Sequence, residues 1–165
     1  MKKSTLFSAA AAAVFAFGST VATAATLDEV KANGELRCIV STGLPGFAYT
    51  DANGVYQGFD ADFCRATAAA VLGDASKVKF VPATGKTRFT LLNSKEGDVI
   101  WRNTTWTFVR DVDVKTTFVG VNYYDGQGFM VPKALGVKSA KELNGATVCI
   151  QTGTTTELNL ADFFR

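Results

Sequence analysis

The stretch Asn103-Thr104-Thr105-Trp106-Thr107 gathers an amide and several hydroxyls, and Arg110 follows three residues after Thr107. An arginine fork matches a carboxylate with two parallel hydrogen bonds. Thr hydroxyls and adjacent backbone N–H groups would complete a cradle for that anion. The same spacing suits Arg110 paired with Asp111 or Asp113 on a solvated turn, so both readings stand. A second candidate is Gln151-Thr152-Gly153-Thr154-Thr155-Thr156-Glu157. Thr154 and Glu157 have capping-box spacing, and the free N–H groups of a helix entry attract anions. A plain structural cap explains that pattern equally well. Gly153 belongs to no G-x-G-x-x-G or Walker pattern, which leaves nucleotide binding unsupported. Asp60 and Asp62 read as charges favoured by a helix N-terminus, with no second carboxylate placed for acid–base work. Phe47, Tyr49 and Trp106 offer aromatic faces, although single aromatics beside a core usually serve packing. The chain has no His, which excludes His-based triads and general bases and most zinc sites. Its three Cys, at positions 38, 64 and 149, form no C-x-x-C motif. No nucleophile–base pair is present. The residues point to recognition without cofactor or metal rather than to catalysis.

The 165 residues are 47% hydrophobic and 19% charged, too apolar and too weakly charged for a disordered chain. Lys2 and Lys3 supply the formal charge of +2; without them the chain is neutral, with no electrostatic case for a nucleic-acid or membrane-surface partner. Met1-Lys2-Lys3, the apolar Ala-rich run 6–17 and the small-x-small Ala22-Thr23-Ala24 form a signal-peptide pattern. The cut is expected after Ala24, and export to a bacterial periplasm follows. In that oxidising compartment Cys38 and Cys64, on a strand and on the helix packed against it, are favoured as a disulfide. Two buried free thiols are the alternative. Cys149 has no evident partner.

The elements that must carry these groups alternate. Residues 27–33 predict a helix closed by Gly34, and 36–41 a strand. Residues 42–58 form a loop leading into a small hairpin around Asp51-Ala52-Asn53-Gly54. Asp60 or Asp62 opens a helix that runs to Leu72 and stops at Gly73. Strands are expected at 78–81, 98–100 and 118–124, and a helix at 87–94. After Gly126-Gln127-Gly128 come a strand at 129–131, a short helix at 140–143, a strand at 147–151 and a helix from 154 onward. This βαβ spacing predicts an α/β fold with a mostly parallel sheet covered on both faces. Ligands of such sheets bind outside the carboxyl ends of the strands, which selects the loops 42–47, 84–88, 101–110 and 152–156. A second α/β unit opens after residue 126 and is not completed.

Several segments resemble a known family. Gly58-Phe59-Asp60-Ala61-Asp62-Phe63 resembles the signature of the family 3 extracellular solute-binding proteins. Leu44-Pro45-Gly46-Phe47, Arg102-Asn103-Thr104-Thr105-Trp106-Thr107, the segment from Tyr123 to Phe129 and that from Cys149 to Glu157 are similar to its general L-amino-acid-binding subgroup. The resemblance implies a two-lobed type II periplasmic binding fold that closes on its ligand, with a doubly wound, mostly parallel sheet in lobe 1 and a truncated lobe 2. Residues 1–24 would be the signal peptide, 25–125 lobe 1, and 126–165 the hinge crossing and the start of lobe 2. It also implies that Arg110 clamps the ligand α-carboxylate, that Thr105 adds its hydroxyl and N–H, and that the Asn103 carbonyl accepts from the α-ammonium. Thr154 and Thr155 would finish the cradle, Gln151 would border the pocket, and Phe47 and Leu44 would meet the side chain. The implied activity is capture of an L-amino acid for an ABC permease at the inner membrane, by a monomer without cofactor. Rival readings are an enzyme on the same fold, similar to cyclohexadienyl dehydratase, and a ligand-sensing domain. Ala61 and Thr67 stand where larger aliphatic residues are usual, which should weaken helix packing; Gly97 replaces an inward aliphatic residue; and Trp101 replaces a small one beside the expected site, where its bulk should restrict the ligand.

Overall fold

Residues 26–165 are described by the computed structural model, so the expected leader and its cut lie outside the described residues. The helix α1 (Thr26–Asn33) is followed directly by β1 (Leu36–Ser41), buried at every position but Arg37, as befits a strand covered on both faces. The antiparallel pair β2 (Tyr49–Thr50) and β3 (Tyr56–Gln57) forms the expected hairpin. Its turn is held by the Asp51 carboxylate, which accepts from the N–H groups of Asn53 (2.8 Å) and Val55 (2.9 Å). Next come α2 (Phe59–Leu72), which ends at a left-handed Gly73, then β4 (Val78–Ala83), α3 (Arg88–Asn93), β5 (Val99–Ile100) and α4 (Phe108–Val112). Single 3₁₀ turns at Lys133–Leu135 and Ala140–Glu142 precede α5 (Thr155–Phe163).

The three longer-range strands form one parallel sheet in the order β4-β1-β5. On one face Cys38 and Val40 meet Cys64 of α2, with Tyr56, Phe80 and Trp101 packed around them. Val30, Leu36 and Ala68 extend that layer to α1. The opposite face carries Ile39, next to Gly97 at the end of the α3 segment. Cys38 and Cys64 are joined as a disulfide, their Cα atoms 5.9 Å apart, which settles the choice against free thiols. Cys149 is exposed and free.

Two residues singled out in the sequence, Trp101 and Thr67, meet one another. The Trp101 indole stacks on Phe63 (centroids 4.6 Å apart), and its Nε1–H donates to the Thr67 hydroxyl at 2.9 Å. The indole thus packs against α2, and the expectation that its bulk restricts the ligand is overturned. At Gly97 a Cβ would collide with Ile39 Cγ1, so the Ile39 side chain occupies the space an aliphatic residue would take.

The expected strands at 118–124, 129–131 and 147–151 are not formed, and the helix at 140–143 is a single 3₁₀ turn. An extended segment becomes a strand only when a neighbour satisfies its N–H and C=O groups, and no such ladder forms among the described residues. Several of their apolar side chains lie open, Val119 and Tyr124 among them and Met130 almost wholly so.

Removing the disulfide by Cys38→Ala with Cys64→Ala is expected to cost about 3 kcal/mol, read as a lower denaturation midpoint; an unchanged midpoint would contradict a stabilising role. Thr67→Val should cost about 1 kcal/mol by leaving the half-buried indole N–H without its acceptor, whereas Thr67→Ser should restore most of it. Equal stability of the two variants would show that the hydrogen bond contributes nothing.

Candidate functional site

Because the strands run parallel, with Ser41 opposite Ala83 in register, the chain leaves all three at the same edge. The loop after β1 carries Leu44 and Phe47, the one after β4 leads to Arg88 on α3, and the one after β5 runs from Arg102 to Arg110 on α4. Three guanidinium groups are buried there: Arg88 is 1% exposed, Arg102 7% and Arg110 8%. Each is oriented by backbone oxygen. Arg88 Nη1 donates to the Asn103 carbonyl (2.7 Å) and the Thr104 hydroxyl (3.1 Å). Arg102 Nη1 donates to the Ala83 carbonyl (2.8 Å), and its Nη2 to Asn103 Oδ1 (2.8 Å). Arg110 Nη1 donates to the Thr105 carbonyl (2.7 Å). The Phe89 ring lies beneath two of them, 4.9 Å from the Arg88 and 5.3 Å from the Arg110 guanidinium carbon.

Among the described residues none of these three arginines forms an ion pair with an acidic side chain. The surface pairing of Arg110 with Asp111 or Asp113 therefore does not occur. Burial, reinforced by the charges of Arg102 and Arg110, pushes Arg88 down to about 9. Burial likewise lowers Arg102, against a raising influence of Asp60, and lowers Arg110. Arg88 Nε is buried without a partner. Such a cluster is a concentrated positive field with unspent donors, and its chemical complement is an anion.

Beside it lies a cleft of about 510 Å³, in the size range of small-ligand sites. Of the residues expected from the sequence, Leu44, Phe47, Asn103 and Thr105 line it. Trp106 lines it too and stacks on Phe118 (5.4 Å), while Tyr123 packs edge-on to Phe47 (5.2 Å). Tyr49 sits on β2, away from the lining. Arg110, Gln151, Thr154 and Thr155 are not in the wall of the cleft. Arg110 stands on the first turn of α4, whose Thr107 cap accepts from the Arg110 N–H (3.3 Å).

The 151–155 segment is nevertheless brought to the same edge. The Thr155 hydroxyl lies 3.2 Å from that of Thr105, and Arg88 Nη2 approaches the Gly153 carbonyl at 3.4 Å. This proximity needs glycine: Gly153 has φ +77°, and a Cβ there would lie 2.9 Å from Lys86 Cα. The Thr154 hydroxyl is spent on capping α5, accepting from the Glu157 N–H (3.3 Å) and donating to the Gln151 carbonyl (2.7 Å). The Glu157 carboxylate reaches back to the Gly153 N–H (2.8 Å), one residue earlier than in the usual capping box.

Sequence reasoning passed over Arg88 and Arg102 as individual groups, and read Asp60 only as a helix N-terminal charge. The available signal was positional: Arg88 and Arg102 lie just past strands that end at the ligand-binding edge.

Comparison with known proteins agrees with this architecture. The family model for bacterial extracellular solute-binding proteins, family 3, matches residues 36–147. The chain is 64% identical over its whole length to the glutamate/glutamine/aspartate/asparagine-binding protein BztA of Rhodobacter capsulatus, covering 48% of that protein. It is 58% identical to the general L-amino acid-binding periplasmic protein AapJ of Rhizobium johnstonii, again covering all of this chain and 48% of the relative. A solved ABC transporter/periplasmic binding protein from Brucella ovis with glutathione bound superposes with a TM-score of 0.82 at 55% identity, over 87% of this chain and 45% of that one. The chain thus spans about half the length of these relatives. It belongs to the bacterial extracellular solute-binding proteins of family 3.

Proposed function

We propose that this chain forms the first lobe, and the entry to the second, of a periplasmic receptor that captures L-amino acids and delivers them to an ABC permease at the inner membrane. The observation that carries the reading is the set of three buried guanidinium groups without acidic partners, gathered where three parallel strands end beside a cleft. Arg110, aided by the Thr105 hydroxyl, holds the α-carboxylate, and Thr154 and Thr155 approach it from the far side as the lobes close. The Asn103 carbonyl, which already accepts from Arg88, receives the α-ammonium. Leu44 and Phe47 pack on the side chain, with Gln151 at the border. Residues 25–125 form lobe 1 and 126–165 begin lobe 2, with the hinge near Gly126–Gly128. The leader is removed after Ala24, and the receptor acts as a monomer. The names of BztA and AapJ support an amino-acid ligand. The glutathione of the Brucella ovis protein carries a free glutamyl zwitterion, the same group this cleft would read.

One observation favours a second, enzymatic reading, related to cyclohexadienyl dehydratase: Asp60 is a buried acid that lines the cleft. It stands without a nucleophile or partner base, so binding is the better account. Calorimetric titration of the full-length protein with the common L-amino acids tests the proposal. Binding of several is expected, with Arg110→Ala weakening each by about a hundredfold or more, as loss of a buried charge partner does. Binding of none, or turnover of prephenate or arogenate, would contradict it.

A further inference from the structure

Asp60 lies in the first turn of α2, two residues after Gly58, which holds φ +107° and could accept no Cβ, since one would lie 2.6 Å from the Phe47 carbonyl oxygen. That close approach lets the Asp60 N–H donate to the same carbonyl at 2.8 Å and seats the side chain under the 42–48 loop. Asp60 is 3% exposed, and its Oδ2 is buried without a hydrogen-bond partner. A buried acceptor left unbonded is costly and rare in native structures. Asp60 lines the cleft together with Arg102 and Asn103. Arg102 makes three hydrogen bonds, to the Ala83 carbonyl and to Asn103 Oδ1, and retains N–H donors on both terminal nitrogens. One wall therefore presents an unspent carboxyl beside an unspent guanidinium.

We propose that Asp60, acting with Arg102, reads the end of the ligand's side chain, accepting from a carboxamide when ionised and donating to a carboxylate when protonated. The inference rests on the amino-acid-receptor reading above. A carboxamide offers one donor and one acceptor side by side, matching ionised Asp60 and Arg102 without any change of protonation. A side-chain carboxylate offers acceptors only, so its binding draws one proton from solvent onto Asp60; no other bond forms or breaks. The surroundings make that proton accessible. Burial raises Asp60 to about 6, with Arg102 pulling the other way. The 42–48 loop contains no titratable side chain, Asp62 on the same helix is mostly exposed and paired with Arg65, and the 118–125 segment contributes Tyr123, Tyr124 and Asp125, all exposed.

The test is calorimetry of the full-length protein with L-glutamine and L-glutamate between about pH 7 and about pH 8.5, in buffers of differing ionisation enthalpy. The glutamate Kd is expected to rise about tenfold per pH unit while the glutamine Kd stays level, the slope that uptake of a single proton imposes. Glutamate should take up about one proton and glutamine none. In Asp60→Asn, whose amide both donates and accepts, the two affinities should keep a constant ratio. A pH-independent ratio in the unmodified protein, absence of proton uptake with glutamate, or a slope that survives in Asp60→Asn would overturn this inference while leaving the receptor reading intact. Failure of the unmodified protein to bind either ligand, or any other amino acid, would overturn both. The proton count on the unmodified protein decides the matter even if the variant does not fold.

Discussion

Burying a guanidinium that no carboxylate pairs with is expensive, because the protein must replace most of its hydration with dipoles. This chain buries three such groups at one sheet edge, and much of its local architecture follows from that constraint. Arg88 draws in the Asn103 carbonyl and the Thr104 hydroxyl, Arg102 the end of β4 at Ala83, and Arg110 the Thr105 carbonyl. The cations thus fix the 101–107 loop by consuming its backbone acceptors, and the loop in turn holds the donors in place before any ligand arrives. Preorganised charge of this kind recognises an anion with little reorganisation.

The parallel sheet makes the clustering possible. Strands of one direction deliver their following loops to one edge, and β1, central and buried, is flanked by β4 and β5 in close register. The disulfide between Cys38 and Cys64, with the Trp101–Thr67 contact, ties α2 to that sheet. Asp60 at the first turn of α2 is thereby held against the cleft, so the packing on one face of the sheet and the polar wall of the site are parts of one arrangement.

Much of the fold between residues 26 and 112 was legible in the sequence because its element boundaries are marked by local residues. Gly34, Gly73 and the Asp51–Gly54 turn marked boundaries that the structure keeps, and residues 36–41 form the expected strand. The apolar runs after residue 118 read as strands, but strand formation depends on a neighbour that no local pattern supplies. Trp101 was misplaced for a readable reason. Val99 and Trp101 are two residues apart, so strand alternation sends both to the α2 face. Asp60 was rightly placed at a helix start, yet its burial depends on the 42–48 loop folding over it, a tertiary event invisible in spacing. Arg110 stood out by its motif. That Arg88 and Arg102 are buried with it, and that none of the three forms an ion pair with an acid, became apparent only when the three loops were brought together.

The most direct measurement of the central claim compares the affinity of the full-length protein for L-glutamine with that for L-glutaminamide, in which the α-carboxylate is a neutral amide. If the arginine cluster is the anchor, the amide binds about a hundredfold or more weakly. Equal affinities would mean that the buried guanidinium groups serve the fold alone.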